Sequence, residues 1–306
     1  MNKRIPAITQ KQVSAFLKPR PRNSHKGMFG TVTVIGGASG MIGAPLLAAR
    51  AALKLGAGCV HVGLLADNAP VVDMVQPELM LHTAPFALME LLAIRLDCQK
   101  TPAKSLVTSQ SKGCVLSIGC GMGASTAAQK ILYEALKTDA VLVLDADALN
   151  LLARHSDLQE DLRARKASSV ITPHPGEASR LLGISMKQVQ AARTEAAQKL
   201  AKKLHCSVVL KGAGSVCVTR DGKTYLNKTG NPGMGGPGMG DVLTGMIAAF
   251  IAQGLDADQA LLLAVHLHGA AGDALKEKGV AVGMTATDVT EWARCLLNQW
   301  AGSTLV

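Results

Sequence analysis

The sequence predicts an α/β fold on a mostly parallel central sheet, and three observations predict it. Apolar, β-branched runs at residues 31–35, 59–64, 114–118, 141–144, 169–172 and 207–210 have the length and composition of strands buried on both faces. Ala/Leu-rich or amphipathic stretches of helical length lie between them. Strand and helix therefore alternate, which is the pattern of βαβ units and hence of parallel pairing.

Taken in order, residues 8–17 read as a short helix, followed by a Pro/Arg-rich loop that ends His25-Lys26-Gly27-Met28-Phe29-Gly30. The strand at 31–35 stops at Gly36-Gly37-Ala38-Ser39-Gly40, and residues 43–55 form a helix whose first turn accepts Pro45. Gly56 and Gly58 end it before the strand at 59–64. A weaker strand near 78–82 and a helix near 85–97 come next. The strands at 114–118 and 141–144 enclose a helix at 124–137, and a further helix covers 147–154. After the strand at 169–172 and its helix, residues 187–204 read as one long amphipathic helix. Residues 215–219 and 223–226 pair as a hairpin turning at Asp221-Gly222. Three helices, near 240–253, 257–277 and 287–299, close the chain. No linker, low-complexity run or internal repeat interrupts the 306 residues, so a single domain spanning 1–306 is expected, with a basic segment at 1–30.

The composition is globular, 48% hydrophobic and 18% charged, and no run of about 20 apolar residues predicts a membrane span. The N-terminus lacks the apolar core of a secretory signal. Seven cysteines without a CxxC pair, with Cys59, Cys114, Cys206 and Cys217 in apolar runs, predict buried free thiols and a reducing, cytoplasmic setting. Aromatic content of 3% argues against base-stacking nucleic-acid modules. Residues 1–30 carry seven of the basic residues behind a net charge of +10 and no acid; this predicts a basic flank to a site for anionic small molecules rather than a nucleic-acid surface.

The most informative stretch is Gly230-Asn231-Pro232-Gly233-Met234-Gly235-Gly236-Pro237-Gly238-Met239-Gly240-Asp241, which runs directly into a helix. Without Cβ atoms a backbone approaches a ligand closely. The first N–H groups of a helix lack partners inside it and sit at the positive end of its dipole. Gly238, Met239 and Gly240 thus form an anion cradle. Asp241 beside an anion would repel it, which suits a base that takes a proton from a hydroxyl while the loop holds a phosphoryl group. In open α/β sheets, ligands bind beyond the C-terminal strand ends. The loops after the strands, including Asp145, the Pro173–Glu177 turn and Lys211, should converge there with this stretch.

A second glycine motif competes. Gly119-Cys120-Gly121-Met122-Gly123-Ala124 follows a strand, fits G-x-G-x-x-A, and has Asp145 about 20 residues further on, as in dinucleotide-binding Rossmann domains. That alternative leaves the 233–241 loop and the Pro173–Glu177 turn without a task, and two βαβ-type strands precede the motif where it normally opens its domain.

Seven blocks in order, His25-Lys26-Gly27 with Gly30, Gly36-Gly37 through Gly43-Ala44, Gly119 through Gly123, Asp145 through Asn150, Thr172 through Glu177, Lys211 through Ser215, and Asn231 through Asp241, resemble those of the ADP-dependent NAD(P)H-hydrate dehydratases. These are carbohydrate kinase-like members of the ribokinase superfamily. The resemblance implies a ribokinase-like three-layer α/β/α fold with no separate lid. The family uses ADP as a co-substrate to return hydrated NADH or NADPH to the reduced dinucleotide, releasing AMP and phosphate. It implies Asp241 as base; Ala44, Gly121, Gly123, His174 and Asp241 at the hydrated dinucleotide; and Lys211, Gly212, Ala213, Gly214, Ser215 and Gly240 at the nucleotide. Glu177 would help hold magnesium (Mg2+) through water. A stand-alone dehydratase, a homotetramer and a separate epimerase partner follow from the same resemblance. An ATP-dependent small-molecule kinase of the superfamily is the alternative. Pro237 departs from the family pattern of adjacent glycines, and is expected to shape the loop rather than to donate.

Overall fold

The computed structural model describes residues 5–100 and 113–303. Of the basic N-terminal residues, Lys3 and Arg4 lie outside this range. The elements in chain order are α1 (Gln10–Ser14), β1 (Thr31–Gly36), α2 (Gly43–Lys54), β2 (Cys59–Leu64), β3 (Met80–Thr83), α3 (Ala84–Lys100), β4 (Cys114–Ile118), α4 (Thr126–Lys137), β5 (Val141–Leu144), α5 (Ala146–Arg154) and α6 (Ser156–Ala164). They continue with β6 (Ser169–Ile171), α7 (Pro175–Leu182), α8 (Met186–Ala191), α9 (Arg193–Leu204), β7 (Ser207–Leu210), β8 (Val216–Val218), β9 (Thr224–Leu226), α10 (Met239–Ala252), α11 (Ala257–Glu277) and α12 (Ala286–Ser303).

The strands form a nine-stranded sheet in the order β3-β2-β1-β4-β5-β6-β7-β8-β9. Pairing is parallel from β3 to β7, and the β8–β9 hairpin adds antiparallel strands at one edge. Alternate side chains feed two cores. Val32, Val34 and Val115 pack with α2, α10, α11 and α12 on one face, and Ile35, Leu116 and Ile118 with helices from α3 to α9 on the other. The α/β fold on a mostly parallel sheet read from the sequence, and the three-layer α/β/α architecture implied by the resemblance, are therefore the ones observed. The long helix α10 is buried all round, from Val242 to Ala252, because it runs in the middle of its layer. Its Gly245 lets α2 approach so closely that a Cβ there would lie 2.0 Å from the Ala48 carbonyl oxygen.

The chain leaves β1 for β2 and β3 on one side and returns through β4 to β9 on the other. The strand order reverses between β1 and β4, and that switch point opens a crevice at the C-terminal strand ends. The loops after β1 and β4 meet there: Gly37 N donates to Cys120 O at 3.1 Å and Ala38 N to Gly121 O at 2.7 Å.

Several readings are corrected. The helix expected at 187–204 is two, broken at Ala192, whose φ of −138° and ψ of 55° lie outside the helical region. The break re-aims α9 so that Arg193 reaches the carbonyls of Leu210, Lys211 and Gly214 at 3.2, 3.4 and 3.3 Å. Helix α6 was not foreseen, and α1 is only five residues long. The glycine motif after β4 does not open a helix directly, since α4 starts at Thr126 behind a Ser125 cap. Cys59 is half-buried rather than buried, while Cys114, Cys206 and Cys217 are buried as expected.

The basic segment is corrected too. The guanidinium of Arg20 donates to Gly56 O at 2.8 Å and to Gln253 Oε1 at 2.7 Å, and lies over the Phe29 ring. Gly56 precedes β2 and Gln253 follows α10, so this part of the segment fastens the N-terminal ends of the strands. The ligand ends lie opposite. Among the described residues, no helix is long and apolar enough to cross a membrane.

Candidate active site

Asp241 sits in the first turn of α10. The turn before it is fixed by Pro237 and by Gly238, whose φ of 83° and ψ of −12° suit the third position of a type II turn. Gly238 is the N-cap and supplies no side-chain bond, so no side chain at this position caps the amides of the first turn. The loop is anchored from outside the motif. Asp273 of α11 accepts from Gly230 N at 2.8 Å and from Asn231 Nδ2 at 3.1 Å. His268, also on α11, donates a ring N–H to the Met239 backbone, and burial holds its pKa down at about 4, so the ring is neutral.

Around Asp241 the strand ends converge as the sequence predicted. The buried Asp145, at the end of β5, takes a salt bridge from Lys211 Nζ at 2.7 Å and a hydrogen bond from Thr244 Oγ1 at 2.9 Å. Gly240 lies against this pair: a Cβ there would stand 3.0 Å from Lys211 Nζ. Cys120, in the loop after β4, donates its thiol to Asp241; its Sγ and carboxylate oxygens of Asp145 and Asp241 lie within 4.8 Å of one another. Burial raises the Asp241 pKa to about 6, with the charge of Asp145 adding to the rise and Cys120 and Lys211 opposing it. A carboxylate poised there takes a proton more readily than an exposed one does. Burial also lifts the Cys120 thiol well above its usual range, so it serves as a donor and not as a thiolate. Burial lowers the Lys211 pKa, but Asp145 and Glu177 outweigh it and the net shift is upward, which keeps the ammonium charged.

Asp145 stands at the N-cap of α5 yet makes no capping bond. Ala146, at a left-handed φ of 48°, kinks the entry to the helix. Asp147 then faces the glycine loop and accepts from Gly123 N at 2.8 Å. The network continues from Asn150 Nδ2 to Asp147 Oδ1 at 3.2 Å and from Arg180 Nε to Asn150 Oδ1 at 3.0 Å, so the Gly119–Gly123 loop is tied to α7. Gly121 meets α2: a Cβ on it would lie 3.1 Å from that of Ala44, which brings these two expected dinucleotide residues together.

His174 and Glu177 form a capping box at the start of α7. Gly176 N donates to His174 Nδ1 at 3.0 Å, and His174 N to Glu177 Oε2 at 2.7 Å. Burial, Lys211 and Arg180 lower the His174 pKa, whereas burial raises that of Glu177 to about 7. In the loop after β7, Gly212 and Ala213 are exposed, Gly214 is held by Arg193, and Ser215 Oγ donates to Gly212 O at 3.1 Å. Sequence reasoning missed Cys120, Thr244, Arg193, His268 and Asp273 as parts of the site. Cys120 stood inside a quoted motif; the others carry no local signal, since they act across 17 or more positions.

Comparison with known proteins agrees with this fold. A family profile described as NAD(P)H-hydrate dehydratase matches residues 32–294. The chain is 41% identical over 286 residues to a protein of Neisseria meningitidis named ADP-dependent (S)-NAD(P)H-hydrate dehydratase, covering 92% of this chain and 90% of the other. It is 40% identical to the bifunctional NAD(P)H-hydrate repair enzyme of Coxiella burnetii, but spans only 54% of that protein's length. Its fold superposes on a crystal structure of the ADP/ATP-dependent NAD(P)H-hydrate dehydratase of Bacillus subtilis, co-crystallised with ATP and magnesium, with a TM-score of 0.80 at 28% identity, covering 98% and 99% of the two chains. The glycine motif after β4 thus lies in a ribokinase-like fold and not in a Rossmann dehydrogenase. With its uncapped helix start, its Asp241 and its match over most of its length, the chain belongs to the NAD(P)H-hydrate dehydratase family.

Proposed function

We propose that this chain uses ADP to dehydrate hydrated NADH or NADPH, returning the reduced dinucleotide and releasing AMP and phosphate. The observation that carries this reading is Asp241, raised to a pKa of about 6 and placed beside the open N-terminus of α10 and next to Lys211 and Asp145. Asp241 takes the proton from the ring hydroxyl of the hydrate. The hydroxyl oxygen attacks the terminal phosphorus of ADP, and the bond from that phosphorus to the bridging oxygen of AMP breaks. The amides of Met239, Gly240 and Asp241 and the Lys211 ammonium hold the charge of the phosphoryl group in transit. The phosphate then leaves with its C–O bond electrons as the ring nitrogen's lone pair forms a C=N+ bond, and loss of a proton from the adjacent ring carbon to the departing phosphate or to water restores the reduced ring.

The contacts of Ala44, Gly121, Gly123 and His174 with the dinucleotide, and of Lys211 to Ser215 and Gly240 with ADP, are part of this reading. Their convergence at the C-terminal strand ends supports it. Magnesium, when bound, neutralises phosphate charge. Oxygen donors are present for it, but both Glu177 oxygens face His174, at 2.7 and 3.3 Å, so Glu177 would act through water rather than directly. The cysteine in the Cys120–Asp145–Asp241 group suits this hard ion poorly.

The free thiols Cys59, Cys114, Cys120, Cys206, Cys217 and Cys295 support a reducing, cytoplasmic setting. The exposed apolar side chains Val71, Met74 and Val75, with Met89 and Leu96 on α3, support a homo-oligomer, by family resemblance a homotetramer. An epimerase that interconverts the two hydrate epimers is the partner activity this reading expects.

The choice of donor tests the reading against a plain kinase. Initial rates with ADP and with ATP, measured at equal concentrations, should favour ADP, with AMP as the nucleotide product. Fast turnover with ATP and slow turnover with ADP would replace the proposal with an ATP-dependent kinase.

A further inference from the structure

The reaction makes no use of a second group of ligand-type side chains, at the other edge of the sheet. His61 on β2, His82 on β3 and Glu90 on α3 bring His61 Nδ1, His82 Nε2 and a Glu90 carboxylate oxygen within 4.8 Å of one another. The register explains why. β2 and β3 pair in parallel with His61 opposite Met80 and Gly63 opposite His82, so both histidines stand on the face that α3 covers. Gly63 has no side chain, which lets α3 lie close: a Cβ there would be 2.8 Å from that of Ala87. One helical turn past Phe86, Glu90 then overhangs the two rings.

Two of the separations are specific. His61 Nδ1 lies 3.2 Å from His82 Nε2 and 3.3 Å from Glu90 Oε2. Ligands held tetrahedrally at the zinc–nitrogen distance stand about 3.3 Å apart. The arrangement is also held in place. The two rings lie nearly parallel with centroids 5.4 Å apart, and the His82 ring packs on Phe86 at 5.0 Å. His61 is buried, whereas His82 is half-buried and the Glu90 side chain is 36% exposed, so the group is open to an ion from solvent. Hydrogen bonding alone serves the three atoms poorly. With neutral rings, a hydrogen on His82 Nε2 leaves His61 Nδ1 facing the Glu90 carboxylate acceptor to acceptor, and a hydrogen on His61 Nδ1 serves only one of its two neighbours. A cation would satisfy all three.

We propose that His61, His82 and Glu90 bind a divalent transition-metal ion of the zinc class, with water at the fourth position. Two imidazoles and one carboxylate select zinc, cobalt or nickel over magnesium and calcium, which prefer oxygen. The ion would clamp the short edge strand β3 to β2 and to α3.

Cobalt(II) is the probe. The untagged full-length chain, stripped with chelator and dialysed, is titrated with cobalt(II) and then with zinc, in parallel with His82→Gln and Glu90→Gln. Cysteine ligation at the Cys120–Asp145–Asp241 group would instead give a thiolate charge-transfer band, which Cys120→Ser removes. The expected result is one equivalent of cobalt(II) per chain, visible bands of tetrahedral intensity without a thiolate band, and displacement by zinc. His82→Gln should abolish the bands, and Glu90→Gln should weaken binding by at least about tenfold. Zinc should also raise the thermal midpoint of the parent by several degrees and leave that of His82→Gln unmoved. No cobalt spectrum in the parent, the same spectrum in His82→Gln, or a thiolate band that Cys120→Ser alone removes would each overturn the assignment.

Discussion

Asp241→Asn should lose about 10²–10⁴-fold in kcat, the usual cost of removing a general base, and should keep its fold. The swap preserves size and removes the proton acceptor. Because burial holds the Asp241 pKa at about 6, the parent's kcat should rise with pH through that region, as the carboxylate loses its proton, and the variant should lose this limb. Stability should move the other way. An aspartate whose pKa is raised on folding binds its proton more tightly in the native state, so the stability it contributes falls as pH rises from the unfolded value toward about 6. Above that pH the variant no longer buries this charge, and its thermal midpoint should hold or rise. ADP affinity should hold or rise slightly, since a negative charge beside the phosphoryl group is gone. Turnover within about threefold of the parent, far short of the expected loss, would remove Asp241 from the mechanism. Early unfolding with weak ADP binding would make it a structural residue of the helix start.

The second large effect is expected at Lys211. Its ammonium is the charge partner of Asp145, whose side chain is 2% exposed against 20% for Lys211. Lys211→Met leaves that carboxylate buried with only the Thr244 hydroxyl to serve it. Breaking a buried ion pair from one side typically costs about 3–5 kcal/mol, and urea unfolding at neutral pH should show a loss of that order. The double variant Lys211→Met/Asp145→Asn should recover most of it, because no uncompensated charge remains. ADP binding should stay weak in both, since the loop after β7 has lost its cation. A single-variant loss below about 1 kcal/mol, outside the buried-pair range, would mean that Asp145 is well solvated and that the pair does not organise the site.

The strands were legible because each is a short apolar run bounded by glycine or polar turns; residues 59–64 and 114–118 match the structure to the residue. The glycine loop and Asp241 were legible for the same local reason. What the sequence hid is what only the folded chain brings together. Ala192 interrupts a helix without a glycine or proline to announce it, and the reason, Arg193 reaching the loop after β7, depends on contacts 17 to 21 residues away. Asp273 holds the glycine loop from a helix 43 positions on from Gly230. Cys120 stood without a role inside a glycine motif until its thiol met Asp241. The basic segment misled for a converse reason: charge was visible, but the end of the strands to which it would be delivered was not. His61, His82 and Glu90 lie on three elements, and only the β2–β3 register brings them together.

The most direct test of the account is to incubate the chain with hydrated NADH and ADP and to follow the absorbance band of reduced nicotinamide while AMP and phosphate are counted. The account predicts that the band returns, with AMP and phosphate each released in equal amount to the NADH recovered, and that omitting ADP stops it. A hydrate that stays dark, or one converted to a stable phosphorylated product without recovery of the band, would contradict it.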